Sequence, residues 1–299
     1  MNFETIAKEL SESQVKSGKY TGISETTQKK YLQKLKYLFD RTTVDGLLDL
    51  LQSFENINSR ISYFTAVTGT AKHSPTFSRA LENGILSAIN DAYMDLLQTN
   101  KETVKTEEKS EREKAAWVDW KDILKITKMT APFKDVPQEQ VLIAMYTLIP
   151  PNRLDFHKLH IVRHPATLEK ENFLQIKNKS KMFLVLQEYK TADTYGRLEI
   201  ALPVKLCKII SAYLENNADK KFLFSPKGSL DKPFKSVDSF AKYLRDTFKD
   251  VFGKNVTVDI LRHSYITWLK RNELTKAKKS RIAKQMGHSL DTQEAYRKE

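Results

Sequence analysis

Apolar positions recur at three- and four-residue intervals through most of the first hundred residues. Ile23, Tyr31, Leu35 and Leu38 fall near helical spacing around Ser24, a residue type that accepts from the free amides opening a helix. Leu47-Leu48 through Phe54, Ile61 to Val67 and Ile85 to Leu97 continue the pattern, with Gly69, His73-Ser74-Pro75 and Gly84 as expected interruptions. This spacing predicts a helical domain over 1–100. Lys101 to Lys114 differs, mixing charges of both signs with almost no apolar residue. It has no face to bury and is expected to be a linker, or a solvated helix, between domains.

Structure is expected to resume at Trp117, Trp120, Ile123 and Leu124, followed by a helix over 138–149 that Pro150-Pro151 ends. The period then shortens. Leu159 to Val162, Phe173 to Ile176, Met182 to Leu186 and Leu198 to Leu202 are short apolar runs of strand composition, with a turn at Thr191 to Gly196. Beyond Pro203 the helical period returns over 204–216, 236–251, 260–273 and 276–286. The fold class that follows is mainly α with a small antiparallel sheet (α+β). The division is a helical domain 1–100, a charged linker 101–114 and a second domain 115–299. There is no internal repeat and no Gly-rich phosphate loop.

With 299 residues the chain is long enough for two cores. No apolar run approaches the roughly 20 residues of a membrane span, and Met1-Asn2-Phe3-Glu4 lacks a basic-then-apolar leader. The single Cys207 rules out an internal disulfide framework and suggests a reducing, intracellular setting, in nucleus or cytoplasm or associated with a virus. Cys207 sits in a helical stretch as a small hydrophobe rather than a nucleophile. A formal charge of +13 fits either a polyanionic partner or a merely solvated basic surface. Lys29, Lys30, Lys34, Lys36, Arg41, Arg60, Lys72 and Arg79 could touch phosphates in the first half, or simply face water. No long basic helix with an aromatic face argues for a membrane surface.

The candidate chemistry lies late in the chain: Arg262 in Leu261-Arg262-His263-Ser264, His288 in Met286-Gly287-His288-Ser289, and Tyr296 in Glu294-Ala295-Tyr296-Arg297-Lys298. A cation, an imidazole and a phenol suit attack by tyrosine on a phosphodiester, with the developing charge held by fixed donors. Two further cations precede them, Arg153 in Pro150-Pro151-Asn152-Arg153-Leu154-Asp155 and Lys190 in Tyr189-Lys190-Thr191. Taken singly, Arg153 could pair with Asp155, Lys190 competes with Lys177, Lys179 and Lys181, and Tyr296 could be an ordinary helix residue.

In chain order, Arg153, Lys190, Arg262, His288 and Tyr296 with their flanking residues resemble the motif boxes of the tyrosine recombinases, the phage-integrase type of site-specific DNA recombinase. Pro-Pro-x-Arg-x-Asp looks most like integrases of eukaryotic DNA viruses and mobile elements. The resemblance covers about 113–299, and the first half is similar to a SAM-like core-binding domain in pattern alone. It implies that Tyr296 is the nucleophile and that a 3′-phosphotyrosine link forms and is resealed. Arg153, Arg262 and His288 would hold the phosphate, and Lys190 would protonate the leaving oxygen. It implies double-stranded DNA as partner, clamped between the two domains, a homotetramer on that DNA, and no cofactor, metal or ATP. Many members pass a helix beyond the tyrosine to a neighbouring protomer, whereas three residues follow Tyr296 here.

Where such proteins often carry histidine or lysine three residues before the second arginine, this chain has Asp259. A carboxylate is a weak base for a phenol, so Asp259 is expected to orient Arg262 or to cap a helix beginning near Ile260. His263 is read as structural. His157, His160 and His164 have a loosely metal-like spacing, but a strand over 156–162 would separate the first two, and no metal site is expected. Two alternatives stay open: a type IB topoisomerase, and a DNA-binding protein of this fold without the chemistry.

Overall fold

The structure, a computed structural model, describes residues 2–13, 23–82, 84–104, 108–129, 135–163, 168, 170–229, 231–270 and 274–298. It divides into two compact units, Met1–Thr106 and Glu107–Glu299.

The first unit is helical among the described residues: α1 (Phe3–Glu12), α2 (Glu25–Phe39), α3 (Leu47–Ser53), α4 (Ile57–His73), α5 (Pro75–Ala80) and α6 (Ile85–Val104). Helix starts follow local chemistry. Ser24 caps α2 by accepting from Thr27 N (3.3 Å), and Ser74 caps α5, with Pro75 at its first turn. Ile6, Leu10, Leu35, Leu38, Phe64 and Phe77 are among the side chains that close the core. Gly69, expected to interrupt a helix, lies inside α4 because the Tyr31 ring packs there; a Cβ would stand 2.6 Å from Tyr31 Cε2. Some of the basic side chains here are already engaged by the fold. Lys34 Nζ donates to Ser62 O (3.1 Å), Arg60 to Phe54 O (2.7 Å), and the Arg41 guanidinium lies 3.6 Å from the Tyr37 ring centre.

The mixed-charge stretch is helical at both ends. α6 runs on to Val104, and α7 (Glu111–Ala116) opens the second unit with a capping box between Ser110 and Glu113. Then come α8 (Trp120–Met129), α9 (Gln138–Thr147), β1 (His160–Val162), β2 (Phe173–Asn178), β3 (Lys181–Leu186), α10 (Ala192–Tyr195) and β4 (Leu198–Ala201). Five helices follow among the described residues: α11 (Val204–Glu215), α12 (Val237–Phe252), α13 (Val258–Lys270), α14 (Lys276–Gln285) and the short α15 (Leu290–Ala295). Every residue from Val141 to Thr147 in α9 is buried, which makes this helix the axis of the unit's core. Cys207 is buried on α11, its thiol pushed up by burial.

The sheet has the order β1-β2-β3-β4 and is mixed, not wholly antiparallel as its composition suggested: β1 runs parallel to β2, and the remaining pairs are antiparallel. Apolar runs locate strands, but direction is set by the connections. The first strand is also shorter than expected, since residues 155–158 form a turn and pairing starts at His160. Its outer edge is covered by Lys221 to Leu223, with Ile161 N donating to Lys221 O (2.7 Å). His164 and residues 271–273, the end of an expected helix, lie outside the described residues.

Candidate active site

The site is built around the end of α14. Met286 takes the C-cap, and Gly287 follows with φ 65°, a left-handed conformation that glycine adopts without a Cβ penalty. His288 N donates to Ala283 O (3.1 Å) and Gly287 N to Lys284 O (3.0 Å), the two bonds of a Schellman cap. This ending turns the carbonyls of Met286 and Gly287 out of the helix ladder, at the negative end of its dipole. Two guanidiniums occupy them. Arg262 donates through Nη1 and Nη2 to Met286 O (3.3 Å each) and through Nη1 to Pro151 O (2.8 Å), and Arg153 Nη1 donates to Gly287 O (3.2 Å). The gap at Gly287 is tight, since a Cβ would come within 3.3 Å of Thr191 Oγ1 and 3.5 Å of Arg153 Nη1.

Arg262 has 0% exposure, on a helix whose Leu261, Tyr265 and Ile266 enter the core. Burial lowers its pKa; the phenol of Tyr296 and the carboxylate of Asp259 act against that, and Arg153 adds to it. Removing a guanidinium from water is offset only where its donors are met. Arg262 Nε is buried and unpartnered, and so is His288 Nε2. Among the described residues four buried side-chain polar atoms are in this state, and two of the four lie here.

Tyr296 stands at the C-cap of α15, half-buried against the same core. Its ring centre lies 4.9 Å from the Arg262 guanidinium carbon, 5.5 Å from the stacked His288 ring and 4.9 Å from the His263 ring, which meets it edge-on. His288 is 4% exposed, and burial with Arg262 and Arg153 nearby depresses its pKa to about 4. Its ring is therefore neutral at pH 7. Nδ1 faces Ser289 O at 3.0 Å, and because a carbonyl can only accept, Nδ1 carries the proton and Nε2 keeps a free lone pair.

Arg262, Arg153, His288 and Tyr296 thus gather at one helix end. Lys190 does not join them: it is exposed in the connection from β3 to α10, although its neighbours reach the site, with Thr191 Oγ1 donating to Gly287 O (2.8 Å). Among its rivals, Lys179 pairs with Glu215 (2.7 Å), while Lys177 and Lys181 are exposed. Asp259 is exposed in the first turn of α13 and does not cap it; the helix starts at Val258, and Thr257 Oγ1 accepts from Ile260 N (3.3 Å). Burial raises Asp155 to about 6 against the pull of Arg153 and Arg262. His157 and His160 serve different neighbours, Leu154 O (3.2 Å) and Glu171 (3.6 Å). Among the described residues no group of three His, Cys, Asp or Glu could hold a metal, and no helix is long and apolar enough to cross a membrane.

Three residues that matter here were missed in the sequence. Gly287 was legible, since glycine just past a basic helix end is the usual C′ signal. Asn172 was not. It donates to Asp155 O (3.1 Å) and Glu188 O (2.7 Å) and accepts from Gln187 N and Glu188 N, joining the Arg153 loop to the Lys190 loop. Glu113 was visible as the fourth residue of a capping box, but its contact with His263 (3.0 Å), 150 positions away, was not.

No family model and no curated protein sequence matches the chain. Among solved structures it is similar to the XerA recombinase, with a TM-score of 0.40 and 15% identity over 98% of this chain and 92% of that one. It is also similar to protelomerase TelA, one form of which is a variant covalently complexed with substrate DNA (TM-score 0.44, 16% identity, 98% and 93% covered). The selenomethionine form of that complex gives a TM-score of 0.43 at 16% identity, again over 98% and 93%.

Proposed function

We propose that the chain is a tyrosine recombinase of the integrase type, which cleaves and rejoins duplex DNA through a covalent link to Tyr296. One observation carries the reading: a tyrosine ring is flanked by two buried nitrogens with no partner, Arg262 Nε and His288 Nε2, beside two guanidiniums held on one helix end. A phosphodiester oxygen is the type of group that the Arg262 and Arg153 donors fit, with His288 Nε2 left as a proton acceptor beside it, and the bidentate fork of arginine suits phosphate better than an ammonium does. Supporting it, α14 carries Lys276, Lys278, Lys279, Arg281 and Lys284 and delivers them up to the site.

The chemistry follows from these groups. A free tyrosine phenol has a pKa of about 10, so attack needs a proton acceptor. The neutral His288 offers Nε2, and the bound phosphate then favours the imidazolium that results. The Tyr296 oxygen bonds to phosphorus, the bond to the 5′-oxygen breaks, and Lys190 gives that oxygen its proton once DNA draws the β3–α10 connection in. Reversal by another 5′-hydroxyl reseals the strand, so no bond energy is lost. In this reading DNA is bound as a homotetramer, and affinity falls steeply with salt as phosphate neutralisation releases counterions.

A nicked suicide duplex tests this. The full chain should become covalently joined to the DNA strand, and Tyr296→Phe should bind but not become joined. Absence of any adduct from the wild type would leave a DNA-binding protein without the chemistry. Relaxation of a supercoiled plasmid with no exchange between two sites would point instead to a type IB topoisomerase.

A further inference from the structure

A capping-box glutamate is ordinarily a surface residue with one task. Glu113 has three. Its Oε2 accepts from Ser110 N and Ser110 Oγ (2.8 Å each), and its Oε1 faces His263 Nδ1 at 3.0 Å. Oε2 also lies 3.6 Å from Lys298 Nζ, two residues beyond Tyr296. The three side chains are 16–18% exposed, so these contacts are shielded well beyond those of a surface pair. His263 then presents its ring edge-on to Tyr296. Lys298 is held a second time by its backbone, its N donating to Thr267 Oγ1 (3.0 Å) and its carbonyl accepting from the same hydroxyl (3.1 Å).

We propose that Glu113 is a positioning residue for Tyr296, fixing the nucleophile's ring through His263 and the chain that follows it through Lys298. This rests on the reading of Tyr296 as the nucleophile. A carboxylate only accepts, so Nδ1 of His263 carries the proton and one tautomer and one ring orientation are selected. The segment after Tyr296 is meanwhile pinned to α7 and α13 through Lys298. The groups that face His263 are Glu113 from α7, Lys298 from the terminal segment, Asp259 from its own helix and the Tyr296 ring. Burial lowers the pKa of His263, and Glu113 works against that.

The test uses single-turnover cleavage of the nicked duplex by the full chain, with Glu113→Ala, Glu113→Gln and Lys298→Met. Glu113→Ala should cleave about ten- to a hundredfold more slowly at unchanged DNA affinity. Glu113→Gln keeps an acceptor for Nδ1–H without the charge. It should retain a rate within about threefold of wild type, and the acid limb of its pH profile should move to lower pH, because the lost carboxylate no longer favours the imidazolium. Lys298→Met should lose less than Glu113→Ala, and the double variant should be no slower than Glu113→Ala. Cleavage by folded Glu113→Ala within about twofold of wild type, or a Glu113→Gln profile that does not move, would overturn the proposal. If the wild type forms no adduct, the functional reading fails by itself. Ring NMR signals then decide about Glu113: Glu113→Gln must shift those of both His263 and Tyr296, and unchanged Tyr296 signals overturn the positioning role.

Discussion

The floor and the rim of the candidate site are built on opposite principles. The floor sets the buried Arg262 and His288 beside the half-buried Tyr296, with Arg262 held by two main-chain carbonyls, Pro151 O and Met286 O, the second turned outward by a helix cap. The rim, the connection carrying Lys190, is anchored on either side of that lysine through Tyr189 OH to Gly196 O (2.6 Å) and Thr191 Oγ1 to Gly287 O (2.8 Å), yet leaves its side chain in water. In the proposed reaction, charge stabilisation needs donors that are already in place when charge develops, so a floor rigid before DNA binds suits that role. A proton donor needs only to be present at the moment of departure and can be delivered by the substrate itself.

The comparison breaks most sharply at Arg262. Arg262→Lys keeps a positive charge but cannot span Pro151 O and Met286 O while leaving a further donor, so adduct formation should fall by about a hundredfold or more. It should also lower the thermal midpoint, because a fully buried ammonium meets a different geometry. At the rim, Lys190→Ala should slow cleavage by tens of fold to about a hundredfold without changing stability. A substrate whose leaving 5′-oxygen is replaced by sulfur should restore the rate, because a thiolate departs without a proton. Loss of cleavage in Lys177→Ala instead would move the acid to the end of β2.

A smaller effect separates the two regions through pH. His288 is held at about 4 in the fold against 6.5 ordinarily, so the unfolded chain binds its proton first. Its contribution to stability is therefore complete above pH 6.5 and is lost as pH falls toward 4. Asp155, raised from 3.8 to about 6, slopes the other way over nearly the same range, because the folded state takes that proton first. Thermal midpoints against pH should show a flatter acid loss for His288→Gln and a steeper one for Asp155→Asn, with no change for Lys190→Ala. The smallest effect is expected at Asp259→Ala, which should cleave within about threefold of wild type, since Asp259 is exposed and Thr257 already caps α13.

Which parts were legible in the sequence follows from the range of the forces involved. Ser24 before a 3.6-residue period marks α2 because capping and amphipathicity act within one or two turns. Gly69 misled, since the Tyr31 ring that fills its place comes from a distant helix. The direction of β1 escaped for the same reason: the connection, not the apolar run, decides it. At the site, residue types and order singled out five side chains; the fold gathers Arg153, Arg262, His288 and Tyr296 and leaves Lys190 exposed outside them. Nothing local, however, joins Glu113 to His263 or Asn172 to Glu188. Those contacts exist only after the core has closed, and they do the holding rather than the chemistry.

The most direct measurement is to digest the protein–DNA adduct formed on a nicked duplex and identify by mass spectrometry the peptide that carries the nucleotide. A single modified peptide is expected, linked through the phenolic oxygen of Tyr296 to a 3′-phosphate. Attachment at any other tyrosine, linkage to a 5′-phosphate, or an unmodified protein after complete reaction conditions would contradict it.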